Sequence, residues 1–174
     1  MSKRRSNVSA GLGQVTARER VGSSTKREER AQAGYLHCKQ CGAEYHAKHW
    51  YTTDTSLKAS HETPSEETLC PGCYDIKNLI CNGTLIVEGA SQTGDLRKEM
   101  LALTKHVETD SWKDNPEHRI IDIVKRDGKT EIRTTSAWLA ARIGKELNST
   151  FGGTLDIKPS PEKETTYVHW YCKS

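Results

Sequence analysis

Cys38-Lys39-Gln40-Cys41-Gly42 and Cys70-Pro71-Gly72-Cys73 hold two Cys-x-x-Cys pairs, and the reading of these pairs decides how the first half of the chain folds. In each pair the two-residue gap lets both sulfurs face one tetrahedral ion, so Cys38, Cys41, Cys70 and Cys73 together form a candidate structural zinc site. Gly42 and Gly72 relieve Cβ crowding where the chain turns around the metal. Disulfides are the competing reading, but they need an oxidising compartment. Met1-Ser2-Lys3-Arg4-Arg5 is followed by polar residues and no apolar secretion segment, so a reducing cytoplasm is expected. A thioredoxin-like redox pair would follow a hydrophobic strand, and none precedes Cys38. The insert between Cys41 and Cys70 is long, at 28 residues. Tyr45, Trp50 and Tyr51 within it are expected to make a short hairpin capping the metal, with Thr63-Pro64-Ser65-Glu66-Glu67 an exposed loop.

Outward from this stretch, the composition sets limits. The chain has 174 residues, 34% hydrophobic and 28% charged, enough for one modest domain beside a small metal-stapled module. A mean hydropathy of −0.76 and the lack of a long apolar run argue against a membrane-spanning role. Positive charge is concentrated at the start. Residues 1–33 carry Lys3, Arg4, Arg5, Arg18, Arg20, Lys26, Arg27 and Arg30 against three acidic side chains, a local charge of +5. With few apolar residues, this segment is expected to be a disordered basic tail. Such a tail is either a solubilising extension or a phosphate-neutralising arm for nucleic acid.

Residues 34–82 form the expected zinc-binding module. Around its cysteines lie Lys39, Lys48, Lys77, His37, His46 and His49, with Trp50 and Tyr51 among them. Lys48 and Trp50 are candidate RNA contacts, a cation and a stacking ring, although the same mixture also suits the plain exterior of a zinc knuckle. His46 or His49 as a substitute ligand is the weaker reading beside four thiolates. Cys81 and Cys172, lacking partners at ligand spacing, read as small apolar residues.

Residues 83–174 have an α+β pattern. Thr84–Glu88 reads as a strand. A helix follows over 94–107 with Leu96, Met100, Leu103 and Val107 on one face and Thr93 as its cap, and the polar 109–116 segment is expected to break it. Arg119–Val124 and Thr130–Thr134 read as strands joined at Asp127-Gly128. A second helix starts near Ser136 and presents Leu139, Ile143 and Leu147, with Trp138 flanking them. Thr154–Ile157 and Thr166–Tyr171 complete the order βαββαββ. Its first six elements predict a ferredoxin-like βαββαβ domain, with the extra C-terminal strand extending an edge. An RNA-recognition motif is rejected, because the expected central strands carry Leu85, Val87, Ile121, Ile123, Ile132 and Arg133 rather than aromatics. No phosphate loop or catalytic constellation is present. His106, His118 and His169 are isolated, and four cysteines leave no open metal position, so neither an enzyme nor a small-molecule substrate is expected.

The two cysteine pairs, the Asp127-Gly128 hairpin and Thr134-Thr135-Ser136-Ala137-Trp138-Leu139-Ala140-Ala141-Arg142-Ile143-Gly144 carry a resemblance covering roughly Leu36 to Trp170. The chain resembles small bacterial proteins related to the N-terminal zinc-containing region of the nonsense-mediated-decay-protein-three family. Eukaryotic members of that family serve as the export adaptor for large ribosomal subunits. The resemblance implies docking on the ribosome or ribosomal RNA through a zinc module followed by an α+β domain. The alternative is a zinc-ribbon adaptor whose sheet edge pairs with another protein.

Overall fold

In the stretch Gly83–Gly89, every second residue is buried: Gly83, Leu85 and Val87 face inward while Thr84, Ile86 and Glu88 are half-buried on the other side. That alternation makes it a strand with one core face. The computed structural model describes residues 36–46, 48–52, 66–89, 94–160 and 165–173. The expected tail over 1–33, with all eight of its basic residues, lies outside the described residues, as do Thr93 and the Thr63-Pro64-Ser65 segment. Within the compact unit Gly34–Ser174, the chain runs β1 (Leu36–Cys38), β2 (Glu44–His46), β3 (His49–Tyr51), β4 (Glu66–Thr68), α1 (Pro71–Asn78), β5 (Gly83–Gly89), α2 (Gly94–Asp114), β6 (Ile120–Arg126), β7 (Lys129–Thr134), α3 (Ala137–Phe151), β8 (Thr154–Pro159) and β9 (Thr166–Cys172).

The fold class is α+β, with two mixed sheets and three helices among the described residues. The larger sheet has the order β6-β7-β5-β9-β8. Strand β5 runs antiparallel to β7 and parallel to β9. The final strand therefore does not extend an edge. It returns from β8 as a hairpin and inserts beside β5, pushing β8 to the outside. Composition explains the exchange. In β9, Val168, Trp170 and Cys172 are buried in alternation, a pattern suited to a strand flanked on both sides. Strand β8 ends in Pro159, whose missing N–H is best tolerated at an edge.

Helices α2 and α3 cover one face of this sheet. The α3 stripe Leu139, Ala140, Ile143, Gly144 and Leu147 is buried against β5 and β9. Close approach depends on Gly144, where a Cβ would stand 2.7 Å from Val168 Cγ1 and 3.0 Å from Leu155 Cδ1. The N-cap is Ser136, whose Oγ accepts from Leu139 N at 3.2 Å. Helix α2 runs to Asp114, beyond the break expected at 109–116. Its polar last turns are held by Ser111 Oγ donating to Val107 O at 2.6 Å and by i,i+3 and i,i+4 ion pairs around Asp110. Thr109, Lys113 and Asp114 lie on the solvated face while Ser111 is buried, and the helix ends just before Asn115-Pro116. The β6–β7 turn is as read, with Asp127 and Gly128 both at positive φ (49° and 74°).

The beginnings of β6 and α3 are joined by side chains. Thr135 Oγ1 donates to Glu117 O at 2.6 Å, and His118 Nδ1 lies 2.9 Å from Ser136 Oγ. The His118 ring stacks on Trp138 at 4.5 Å, and the Arg142 guanidinium sits 5.1 Å from the same indole. Trp138 is 49% exposed, so it lies outside the core and serves as the base of this stack.

Two outcomes follow. Trp170→Ala should cost about 3–5 kcal/mol in urea denaturation, whereas Leu155→Ala on the outer strand should cost much less; equal losses would contradict the interior position of β9. Burial and the nearby Arg142 charge hold the His118 pKa below its ordinary value. The unfolded chain therefore takes up the proton first, and stability should fall as pH drops below about 6.5. His118→Gln should flatten that decline in thermal melts, and an unchanged pH profile would remove His118 as its source.

Candidate metal centre

Two different local structures deliver the two cysteine pairs. The first is a knuckle at the end of β1. Gly42 N donates to Cys38 O at 2.9 Å, Cys38 N donates to Ala43 O at 2.7 Å, and Gly42 takes φ 76°, where glycine is unstrained. The second is a helix start, with Cys70 the N-cap of α1, Pro71 at its first position and Cys73 one residue into the first turn after Gly72. Cys70 Sγ accepts from Cys73 N at 3.5 Å. The role of Gly72 is spatial: a Cβ there would stand 2.4 Å from Pro116 O. The sequence reading missed α1 as a helix, although Pro71 after a capping cysteine was a usable signal.

A small sheet brings the halves together. Its order is β3-β2-β1-β4, with β4 parallel to β1 so that Cys38 is opposite Thr68, two residues before Cys70. Glu66 and Glu67 thus belong to a strand and not to the expected loop, although both are exposed. Parallel pairing is what carries the chain from the first knuckle to the second across the long insert. Cys70 N then donates to Cys38 Sγ at 3.2 Å.

The four sulfurs of Cys38, Cys41, Cys70 and Cys73 lie within 4.8 Å of one another. All six cysteines are free thiols, and Cys41 and Cys70 Sγ are 3.6 Å apart, far beyond the about 2.05 Å of a disulfide bond. The cluster is compatible with a zinc site. Among the described residues no histidine joins it. His46 stacks on Tyr51 at 4.2 Å, and His49 meets that ring edge-on. Cys81 Sγ donates to Gly83 O at 3.3 Å, and Cys172 is buried in the larger sheet's core.

Electrostatics explain why such a cluster calls for a cation. The hydrogen bond from Cys70 pulls the Cys41 thiol down to about 5. Giving that hydrogen bond, together with burial, raises the Cys70 thiol well above its ordinary value, and burial with the Cys41 interaction pushes Cys73 up to about 12. Without a neutralising ion, the pocket keeps protons on Cys70 and Cys73. A divalent cation would replace those protons.

Trp50 packs against the cysteine cluster and lies 5.4 Å from the Tyr45 ring, so its indole forms part of the module's own small core. Lys48 is exposed at the β2–β3 turn with φ 68°. The basic tail residues grouped with Lys48 and Trp50 as candidate RNA contacts lie outside the described residues. The module is buttressed by the second half of the unit: Thr52 Oγ1 donates to Lys113 O at 3.1 Å, and Asn82 Nδ2 donates to Thr135 O at 2.8 Å. Burial, with the Glu117 charge nearby, pushes Asp75 on α1 up to about 6.

Metal analysis of the purified chain should find about one zinc per molecule, and any single Cys→Ser change in the cluster should weaken retention against a chelator. Because bound thiolates must shed protons, retention should also decline as pH falls; a metal content independent of these cysteines would contradict the site. Comparison with family models, with curated proteins and with solved structures finds no match in any of the three, so the meaning of the cluster rests on its own geometry.

Proposed function

We propose that the chain is a zinc-stapled, non-enzymatic factor that binds RNA or ribosomes in the cytoplasm. The observation that carries this reading is the cluster itself: four buried or half-buried thiols converge with no fifth donor group among the described residues. Four sulfurs complete a tetrahedral shell and leave no position for substrate or activated water, which is the arrangement of a structural metal. The zinc would hold Cys38, Cys41, Cys70 and Cys73 as the frame of the small sheet. Support for an RNA partner comes from the +5 charge of residues 1–33, whose arginines suit phosphate oxygens. The resemblance to the zinc-containing region of the nonsense-mediated-decay-protein-three family points the same way, toward the α+β body as a platform on ribosomal RNA. No described helix is long and apolar enough to cross a membrane.

A protein-binding adaptor is the second reading, favoured by one observation. Tyr74 in the middle of α1 and Leu79 and Ile80 just past its C-terminal end are 46%, 62% and 39% exposed, and Leu79 adopts φ 54°, a conformation unusual for leucine.

Co-sedimentation with ribosomal subunits should retain the full chain at low salt and lose it steeply as salt rises, with replacement of Arg4, Arg5, Arg18, Arg20 and Arg27 by serine weakening retention. Absence from the ribosomal fraction and from RNA even at low salt would overturn the RNA reading. Loss of a captured protein partner on Leu79→Asp, with the tail arginines irrelevant, would favour the adaptor.

A further inference from the structure

Helices α2 and α3 cover one face of the five-stranded sheet; the opposite face is built from the alternate residues. The register arranges it in rows. Asp122, Arg133, Thr84, Tyr167 and Lys158 form one row, and Val124, Glu131, Ile86, His169 and Asp156 the next. Glu88, Tyr171 and Thr154 form the third, continued by Lys129 and Arg126 at the hairpin. Tyr167 and Tyr171 are 55% and 46% exposed, and the His169 side chain between them is 47% exposed. Three ring-bearing side chains thus stand in a line on an interior strand. The place of β9 between β5 and β8 puts this line inside the sheet and not at its edge.

We infer that this face is a stacking platform for single-stranded RNA, with Tyr167, His169 and Tyr171 each receiving one base. The inference rests on the RNA-binding reading and names a surface for it separate from the tail. Three features select this occupant. The rings stand at alternate residues, about 6.6 Å apart along the strand. That interval suits a nucleic-acid strand stretched to about twice its duplex rise of 3.4 Å, giving one base per ring. The rings are wide, flat and sequence-tolerant partners for bases.

Charge is the third feature. The Tyr167 row holds Arg133 and Lys158 against Asp122, and the Tyr171 row holds Lys129 and Arg126 against Glu88; Glu131 and Asp156 make the face neutral overall, with its cations gathered in the two tyrosine rows. Phosphates would lie along these rows. The middle row holds Glu131 and Asp156, whose carboxylates can accept from the amino groups of bases. Several of the cations already have partners: Arg133 Nε donates to Asp122 at 2.8 Å, Lys158 pairs with Asp156 at 2.6 Å, and Lys129 and His169 both reach Glu88. Binding here would consequently release few counterions. Its affinity would come from stacking and depend weakly on salt, unlike that of the tail.

The test measures fluorescence anisotropy of a labelled twelve-nucleotide oligouridylate and oligoadenylate on the full chain over a range of salt. Tyr167→Ala with Tyr171→Ala should weaken binding by roughly tenfold or more per ring and leave the salt slope nearly unchanged. Tyr167→Phe with Tyr171→Phe should bind like the parent, which separates stacking from hydroxyl contacts and guards against misfolding. Serine in place of the five tail arginines should instead flatten the salt slope while preserving the tyrosine effect. If the alanine pair binds RNA as well as the parent and the tail variant does not, the platform is wrong and the tail-based reading stands. If the parent chain binds neither oligonucleotide at low salt, both fall, and a protein partner becomes the occupant of this face.

Discussion

Four sulfurs held within 4.8 Å of one another impose the constraint on which the first half of this chain depends. Their neighbours are short strands of three residues and an eight-residue helix, elements too small to bury a core that could stand alone. Thiols at this distance compete for hydrogen bonds and cannot all ionise without a cation, as the opposed shifts at Cys41 and Cys70 show. Exchanging protons for one divalent ion would remove the conflict and fix both knuckles at once. The rest of the module follows from this geometry: β4 pairs parallel with β1 because Cys70 must arrive beside Cys38, and Gly72 is needed where α1 passes Pro116.

The second half is organised by burial. Its core runs through Leu85, Val87, Ile132, Leu139, Ile143, Val168 and Trp170, drawn from three strands and one helix. Placing β9 inside the sheet puts Trp170 in that core with its indole N–H donating to Gly152 O at 3.0 Å, while the alternate positions of the same strand remain open. One strand thereby supplies both the largest fully buried side chain among the described residues and a line of exposed rings. Contacts across Pro116, Asn82 and Thr52 tie the metal module to this body, so the cluster and the sheet form parts of one compact unit.

Much of this was legible from local pattern. The two Cys-x-x-Cys pairs, the Ser136 cap, the Leu139-Ile143-Leu147 stripe and the Asp127-Gly128 turn each signal their structure within a few residues, and each has its physical cause there. What was not legible was nonlocal or masked by composition. The end of α2 was obscured because its last turns are polar, and polarity marks a solvated face as readily as a break. The helical form of Pro71–Asn78 was obscured by reading its cysteines only as ligands. The place of β9 depends on whether it or β8 pairs with β5, a choice made by Trp170 burial against the Pro159 edge and invisible to periodicity. That misplacement also hid Tyr167, His169 and Tyr171 as a surface, since aromatics were sought only in the strands expected to be central.

X-ray absorption at the zinc edge on the purified full chain tests the central claim most directly. A closed structural site predicts four sulfur neighbours at about 2.3 Å and no light-atom ligand. A shell containing nitrogen or oxygen in place of a sulfur, or a protein that carries disulfides and no zinc, would contradict it.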